Sequence, residues 1–137
     1  MLQREVADRL LAKPGTKEYG VLTVLVRRHA EIARMLDLPP AAFTPPPKVR
    51  SSIVRLTFHD ASPTVRDELL FVRMVKALFS QRRKMLSNAL RHFDPLGPEV
   101  LERSRLDGHR RPETLQLEEL AQLADLFASG TARSRVL

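Results

Sequence analysis

Hydrophobic and polar positions change their rhythm near residue 60 of this chain. In Met1–Lys13, Val6 with Leu10 and Ala7 with Leu11 stand at helical spacing and predict a helix; residues 1–3 suit the tail of a strand equally well. "KPGTKEYG" is a loop punctuated by Pro14, Gly15 and Gly20. "VLTVLVRRHA" is a short apolar run, read as a buried helix. "EIARMLDLPP" alternates partially through Ile32, Arg34, Leu36 and Leu38, and Pro39 and Pro40 end it. "SSIVRLTFH" alternates well and is rich in β-branched residues, which predicts a strand. The two strands are expected to pair antiparallel. The loop between them is about a dozen residues long, a length more often functional than merely connecting.

Beyond "HDASPTVRDEL" the period is helical. Ser62 or Thr64 is expected to cap a helix, with Asp67 and Glu68 favourable in its first turn. Phe71, Met74, Val75 and Leu78 form its apolar stripe. A second stripe runs through "QRRKMLSNALRHF" as Met85, Leu86, Ala89, Leu90 and Phe93. "DPLGP" breaks the chain, Pro98 starts a short helix through Val100 and Leu101, and Gly108 lies past its end. The last helix, "LEELAQLADLFA", is expected to turn Leu117, Leu120, Ala121, Leu123, Ala124 and Phe127 inward, with "SGTARSRVL" as a frayed tail. The fold class is therefore α/β followed by α: residues 1–60 with two strands, residues 61–130 as a small helical bundle, and 131–137 as tail. Two strands make a marginal sheet, so the first part reads as the end of a larger domain.

Composition narrows the function. The chain has 137 residues, with 23 lysines and arginines against 16 acids, a net charge of +7. That balance favours a polyanionic partner, nucleic acid being the commonest, or else a soluble basic surface without a ligand. There is no cysteine, which excludes disulfides and thiolate chemistry. The five glycines are scattered, so no glycine-rich nucleotide loop is visible, and the four histidines lack ligand spacing, so no metal site is expected. No Gly-x-Ser-x-Gly elbow occurs. No apolar run approaches the roughly 18–20 residues that cross a bilayer, and "MLQREVADRLLAK" lacks a signal-peptide core. No membrane partner is expected, and the chain reads as cytoplasmic.

Two stretches could carry chemistry. In "QRRKMLSNALRH", helical spacing places Arg83, Ser87 and Arg91 on one side with Lys84 and Asn88 beside it. That face suits a phosphate backbone, or is simply solvated. Arg82 lies nearer the apolar edge, where it would brace the helix. In "AFTPPPKVRSS", Pro45, Pro46 and Pro47 stiffen an extended segment with Phe43 before it and Lys48 after it. Phe43 either plugs the edge of the core or stacks on an unstacked base, and Lys48 could meet a phosphate.

"FTPPPKVRSSIVRL" resembles the Phe-x-Pro-x-Pro-x-Val-x-Ser signature of the ribosomal RNA adenine dimethyltransferases, with Phe43, Pro45, Pro47, Val49 and Ser51 in its places. "LQREVADRL", "KEYGVLTVLV", "PPAAF" and "FSQRRKMLSNAL" resemble the same family in the same order, the last being similar to its small-subunit, kasugamycin-resistance methylase branch. The resemblance covers nearly all of residues 1–128. It implies the C-terminal half of such an enzyme: the end of a class I, Rossmann-like methyltransferase sheet, then the helical rRNA-binding domain. It also implies that the S-adenosylmethionine turn and the catalytic Asn-Leu-Pro-Tyr motif belong ahead of the segment matching Met1. This chain alone is then expected to bind no cofactor and to be inactive. The complete enzyme would dimethylate two adjacent adenines near the 3′ end of small-subunit rRNA, on a pre-30S particle, during ribosome biogenesis. By resemblance, Phe43 faces the flipped adenine, while Lys48, Arg83, Lys84 and Arg91 contact rRNA backbone. Arg50 stands where many relatives carry an acid, and no role is carried to it. The rival expectation is a stand-alone basic RNA-binding or ribosome-assembly module without catalysis. A helical DNA-binding protein is a third, disfavoured by the lack of a helix-turn-helix glycine pattern.

Overall fold

The computed structural model describes residues 1–42, 45 and 50–136, with side chains through residue 130. The chain forms two compact units, Met1–Ser62 and Pro63–Leu137.

In the first unit, β1 (Leu2–Gln3) leads directly into α1 (Arg4–Leu11), followed by α2 (Val21–Arg27), β2 (Ala30–Leu38) and β3 (Ser51–Phe58). The strand and helix alternatives for the N-terminal segment are both realised. The sheet has three strands in the order β1-β3-β2, with both pairings antiparallel. β2 and β3 pair as the sequence predicts, and the third strand arises because Leu2 and Gln3 sit opposite Ser52 and Ser51.

The alternation in β2 was only partial, and the register gives the reason. Arg34 pairs with Val54, but Leu36 pairs with Ile53, so Met35 is an extra residue in a bulge. Val54 and Ile53 point to opposite faces. Arg34 and Leu36 are thereby separated onto opposite faces as well, although two-residue spacing would have kept them together.

The unit's core is small: Ala7, Leu10, Ala12, Tyr19, Val24 and Ala30. Polar ties supplement it. Thr23 Oγ1 donates to the Arg9 carbonyl and accepts from the Gly20 N–H, and Arg27 Nη1 donates to the Ala12 carbonyl at 2.8 Å. These bonds join α1 to α2 where few apolar side chains meet. On the sheet, Phe58 (75% exposed), Met35 and Leu36 stand in solvent.

The second unit comprises α3 (Glu68–Ser80), α4 (Leu86–Phe93), α5 (Gly97–Ser104) and α6 (Leu117–Val136). The cap of α3 is Asp67, whose carboxylate accepts from the Leu70 N–H at 3.1 Å, instead of Ser62 or Thr64. Phe71, Met74, Val75 and Leu78 of α3 are buried with Leu86, Ala89 and Leu90 of α4 and with Leu120, Leu123, Ala124 and Phe127 of α6. Phe93 meets Phe127 edge to face at 5.2 Å. Met85, expected inside, is 40% exposed because it precedes the helix instead of belonging to it. The expected tail is also helical in backbone, since α6 continues to Val136.

Candidate nucleic-acid interface

The proline loop leaves the sheet where β2 ends and β3 begins. Phe43 and Lys48, proposed from sequence to meet base and phosphate, lie outside the described residues, as do Pro47 and Val49 of the signature. The base of the loop is described on both sides. Leu38 pairs with Ser51 and Asp37 with Ser52. Ser51 and Ser52 also pair with β1, so the loop's exit sits between two neighbours. The Arg50 carbonyl accepts from the Arg4 N–H at 2.9 Å, which extends that pairing by one residue.

A polar cluster closes the base. Ser52, fully buried, donates its hydroxyl to Asp37 at 2.5 Å. Arg34 reaches Asp37 at 2.8 Å, Ser52 at 3.2 Å and Asp8 of α1 at 2.5 Å. The Met35 bulge is what brings Arg34 and Asp37 to one side of β2 despite their odd spacing. The Ser52 hydroxyl, and next the Arg34 guanidinium, hold the Asp37 carboxyl below the usual carboxylate range. Hydrogen bonds from Arg34 to Asp8 and Asp37 favour its charged form in return. The cluster spans α1, β2 and β3. Its residues are common surface types, and no spacing rule flags them in sequence.

In the second unit the basic stretch takes a different form from the continuous helix expected. α3 ends at Ser80, and residues 81–84 form a turn in which the Lys84 N–H bonds the Gln81 carbonyl at 2.9 Å. α4 starts only at Leu86. Its first amides find acceptors elsewhere: Leu86 N–H on the Arg110 carbonyl at 2.6 Å, and Ser87 N–H on the Gly108 carbonyl at 3.1 Å. Helix starts leave such donors free of intrahelical partners, and the 108–110 loop supplies them. Arg83 and Lys84 are therefore exposed turn residues. Arg91 is exposed in the last turn of α4, so the single helical face through Arg83, Ser87 and Arg91 does not form. The apolar spacing ran on across the break because both helices face one core.

Arg82 does brace the bundle, donating through Nε and Nη2 to Glu113. Arg110 does the same nearby: Nη1 meets Glu119 Oε2 at 2.6 Å, Nη2 meets Oε1 at 3.1 Å, and Nη2 also donates to the Thr114 carbonyl at 2.8 Å. The Arg110 guanidinium holds the Glu119 carboxyl below its ordinary range. Two cations are thus committed to structure, while Arg83, Lys84 and Arg91 remain at the surface. Among the described residues, no group of three or more histidine, aspartate or glutamate side chains gathers as a metal site, and no helix is long and apolar enough to cross a membrane.

The profile of the ribosomal RNA adenine dimethylase family matches residues 1–129. The chain belongs to the ribosomal RNA adenine dimethylase family. It is 48% identical over 126 residues to ribosomal RNA small subunit methyltransferase A of Magnetococcus marinus, covering 91% of this chain and 45% of that protein. It is 43% identical over 133 residues to the protein of the same name from Bacillus licheniformis, covering 91% and 46%. The chain thus spans about half the length of the curated relatives it matches. Its fold is similar to that of a dimethyladenosine transferase from Plasmodium falciparum, with a TM-score of 0.82 and 24% identity over 94% of this chain and 56% of that one. It is also similar to 23S rRNA methyltransferase ErmE, with a TM-score of 0.58 and 21% identity over 92% and 52%. Membership of the ribosomal RNA adenine dimethylase family agrees with the resemblance carried by the proline signature and its neighbouring motifs.

Proposed function

We propose that this chain is the substrate-holding half of an S-adenosylmethionine-dependent small-subunit rRNA adenine dimethyltransferase. The observation that carries this reading is the family match over residues 1–129, which contains the whole proline signature. The loop base supports it, because both ends of the signature's loop are tied into one three-stranded sheet. In the complete enzyme the first unit forms the end of a class I sheet. Phe43 stacks on the target adenine, Lys48 meets a phosphate beside it, and Arg83, Lys84 and Arg91 hold rRNA backbone on the pre-30S particle.

The cofactor does not fit the described residues. None of their strands runs into a glycine-rich turn. Gly15, their one glycine with positive φ, has nothing within 4 Å of the place a Cβ would take, so it does not line a cradle. The methyl donor would therefore be held by residues beyond this chain.

The test is binding to a labelled hairpin from the 3′ end of small-subunit rRNA across a salt series. Affinity should fall steeply with salt, since each phosphate contact releases counterion. The double variant Arg83→Gln/Lys84→Gln should flatten the slope by roughly one to two units. Binding insensitive to salt would overturn the RNA-holding role. Methyl transfer to unmethylated 30S particles by this chain alone would overturn the assignment of cofactor chemistry to another segment.

A further inference from the structure

Between Glu68 and Asp94 lie 25 residues that contain six lysines and arginines and no acid. The rest of the second unit, residues 63–68 and 94–137, holds seven cations against ten acids. Charge within this unit is therefore segregated: the stretch forming α3, the 81–85 turn and α4 is basic, and what surrounds it is acidic on balance. A surface kept soluble by charge alone intersperses both signs. Segregation of one sign onto two successive helices builds a field that attracts a polyanion.

Only part of that stretch has been given a role so far. Arg82 is engaged with Glu113, and Arg83, Lys84 and Arg91 are the backbone contacts proposed above. Arg73 and Lys76 remain. Both are exposed on α3, opposite its buried stripe of Phe71, Met74, Val75 and Leu78. Helical spacing aligns them with Leu69 and Ser80, also exposed. At about 1.5 Å of rise per residue, the two charges stand about one turn apart along the helix. The stripe then runs through Ser80 into the turn bearing Arg83 and Lys84.

We infer that the outer face of α3 is a second phosphate-binding surface, with Arg73 and Lys76 engaging RNA backbone next to the contacts of the 81–85 turn. This inference rests on the reading that the chain holds RNA. The chemistry of the stripe favours RNA over an acidic protein. Protein interfaces concentrate binding in a desolvated, largely apolar centre, whereas here the cations are flanked by Ser80, and the exposed large apolar side chains of the stretch, Leu69 and Met85, lie at its two ends. Phosphate recognition needs only exposed cations, and it positions a strand without reading its sequence.

The experiment is the same salt series with Arg73→Gln/Lys76→Gln, using the rRNA hairpin and a hairpin of scrambled sequence. If both residues meet phosphates, the slope falls by about 1.5, at roughly 0.7–0.9 per phosphate contact, and equally on both hairpins. Each single variant should give about half the effect, and Arg73→Lys should keep the slope. Circular dichroism melting should stay unchanged, because neither side chain is buried. An unchanged slope, in a protein whose slope still responds to Arg83→Gln/Lys84→Gln, overturns this surface and leaves the RNA-holding role standing. Weaker binding to poly-L-glutamate with unchanged RNA binding overturns it in favour of an acidic protein partner. Salt-insensitive binding by the unsubstituted chain removes the RNA-holding role itself.

Discussion

The Arg82 guanidinium donates to one carboxylate oxygen of Glu113 through both Nε (3.0 Å) and Nη2 (2.8 Å). The pair ties the 81–85 turn to the segment before α6. The next two residues, Arg83 and Lys84, stand exposed. Three consecutive cations therefore divide into one that holds the turn and two that the turn presents to solvent.

This division should separate in measurement. Arg82→Gln should lower stability by about 1 kcal/mol, as expected for a partly exposed, charge-assisted pair, and leave the salt slope of RNA binding nearly unchanged. Arg83→Gln/Lys84→Gln should do the reverse. Urea denaturation and the salt series, run on both variants, check the split. Equal stability losses in the two would show that the turn is braced by all three cations.

The α4–α5 crossing depends on a missing side chain. A Cβ at Gly97 would lie 2.5 Å from the Leu90 carbonyl carbon and oxygen and 2.7 Å from the Arg91 nitrogen. These are backbone atoms, which a rotamer change cannot relieve. Gly97→Ala should cost about 2–3 kcal/mol, the upper range for overpacking, and be visible as a lowered Tm. Gly15→Ala provides the contrast. There the space is open, and only the left-handed φ of +92° opposes the methyl group. A Gly97→Ala protein as stable as the unsubstituted one would mean that the two helices can separate without loss.

The clasp at the loop base should be sensitive to acid. The Asp37 carboxyl titrates below its ordinary range, chiefly through the Ser52 hydroxyl and then Arg34. A carboxylate whose folded pKa is depressed adds stability above its unfolded pKa, and that stability is lost as pH falls through the folded value. Its contribution should be complete above about pH 5 and decline below about pH 4. Asp37→Asn should remove that part of the acid dependence, and Ser52→Ala should move the Asp37 titration upward. Carbon-detected NMR titration of the carboxyl gives the direct readout; an Asp37 titration unmoved by Ser52→Ala would assign the shift to the cations beside it, Arg34 and Arg4, instead of the hydroxyl.

Sequence legibility followed periodicity and failed where tertiary partners decide. The β2–β3 pairing and the inward stripe of α3 were legible because Ile53–Phe58 and Phe71–Leu78 repeat with clean periods. The Met35 bulge was not, since an inserted residue shows in one sequence only as imperfect alternation. The break between α3 and α4 was hidden for a different reason. No proline or glycine interrupts "FSQRRKMLSN", and α4 starts at Leu86 because distant carbonyls of Gly108 and Arg110 receive its first amides. Asp67 took the cap from Ser62 and Thr64 because α3 begins at Glu68, beyond their reach. The family was legible from the proline signature, while the Asp8–Arg34–Asp37–Ser52 clasp emerges only in the folded chain, since its bonded pairs stand 3, 15, 18 and 26 positions apart, a set of spacings no local pattern encodes.

Phe43 should reveal whether the base-holding role needs the rest of the enzyme. Stacking on a flipped adenine requires that the base be held on its edge as well as on its face. The motif that would hold the edge, Asn-Leu-Pro-Tyr, is not in this sequence. In this chain, Phe43→Ala should therefore leave RNA affinity and its salt slope nearly unchanged, because the proposed contacts are to phosphates. In a full-length enzyme carrying this segment, the same change should cost roughly 1–3 kcal/mol in binding the extruded base, the range for aromatic–base stacking. Phe43→Tyr should restore most of it, since the ring is retained. Binding of hairpins with adenine or an abasic site at the target position measures the effect, and adenine preference should vanish in Phe43→Ala alone. If the short chain already prefers adenine and loses that preference with Phe43→Ala, the loop reads the base by itself. A full-length enzyme indifferent to Phe43→Ala would return Phe43 to the other role open to it, plugging the edge of the core.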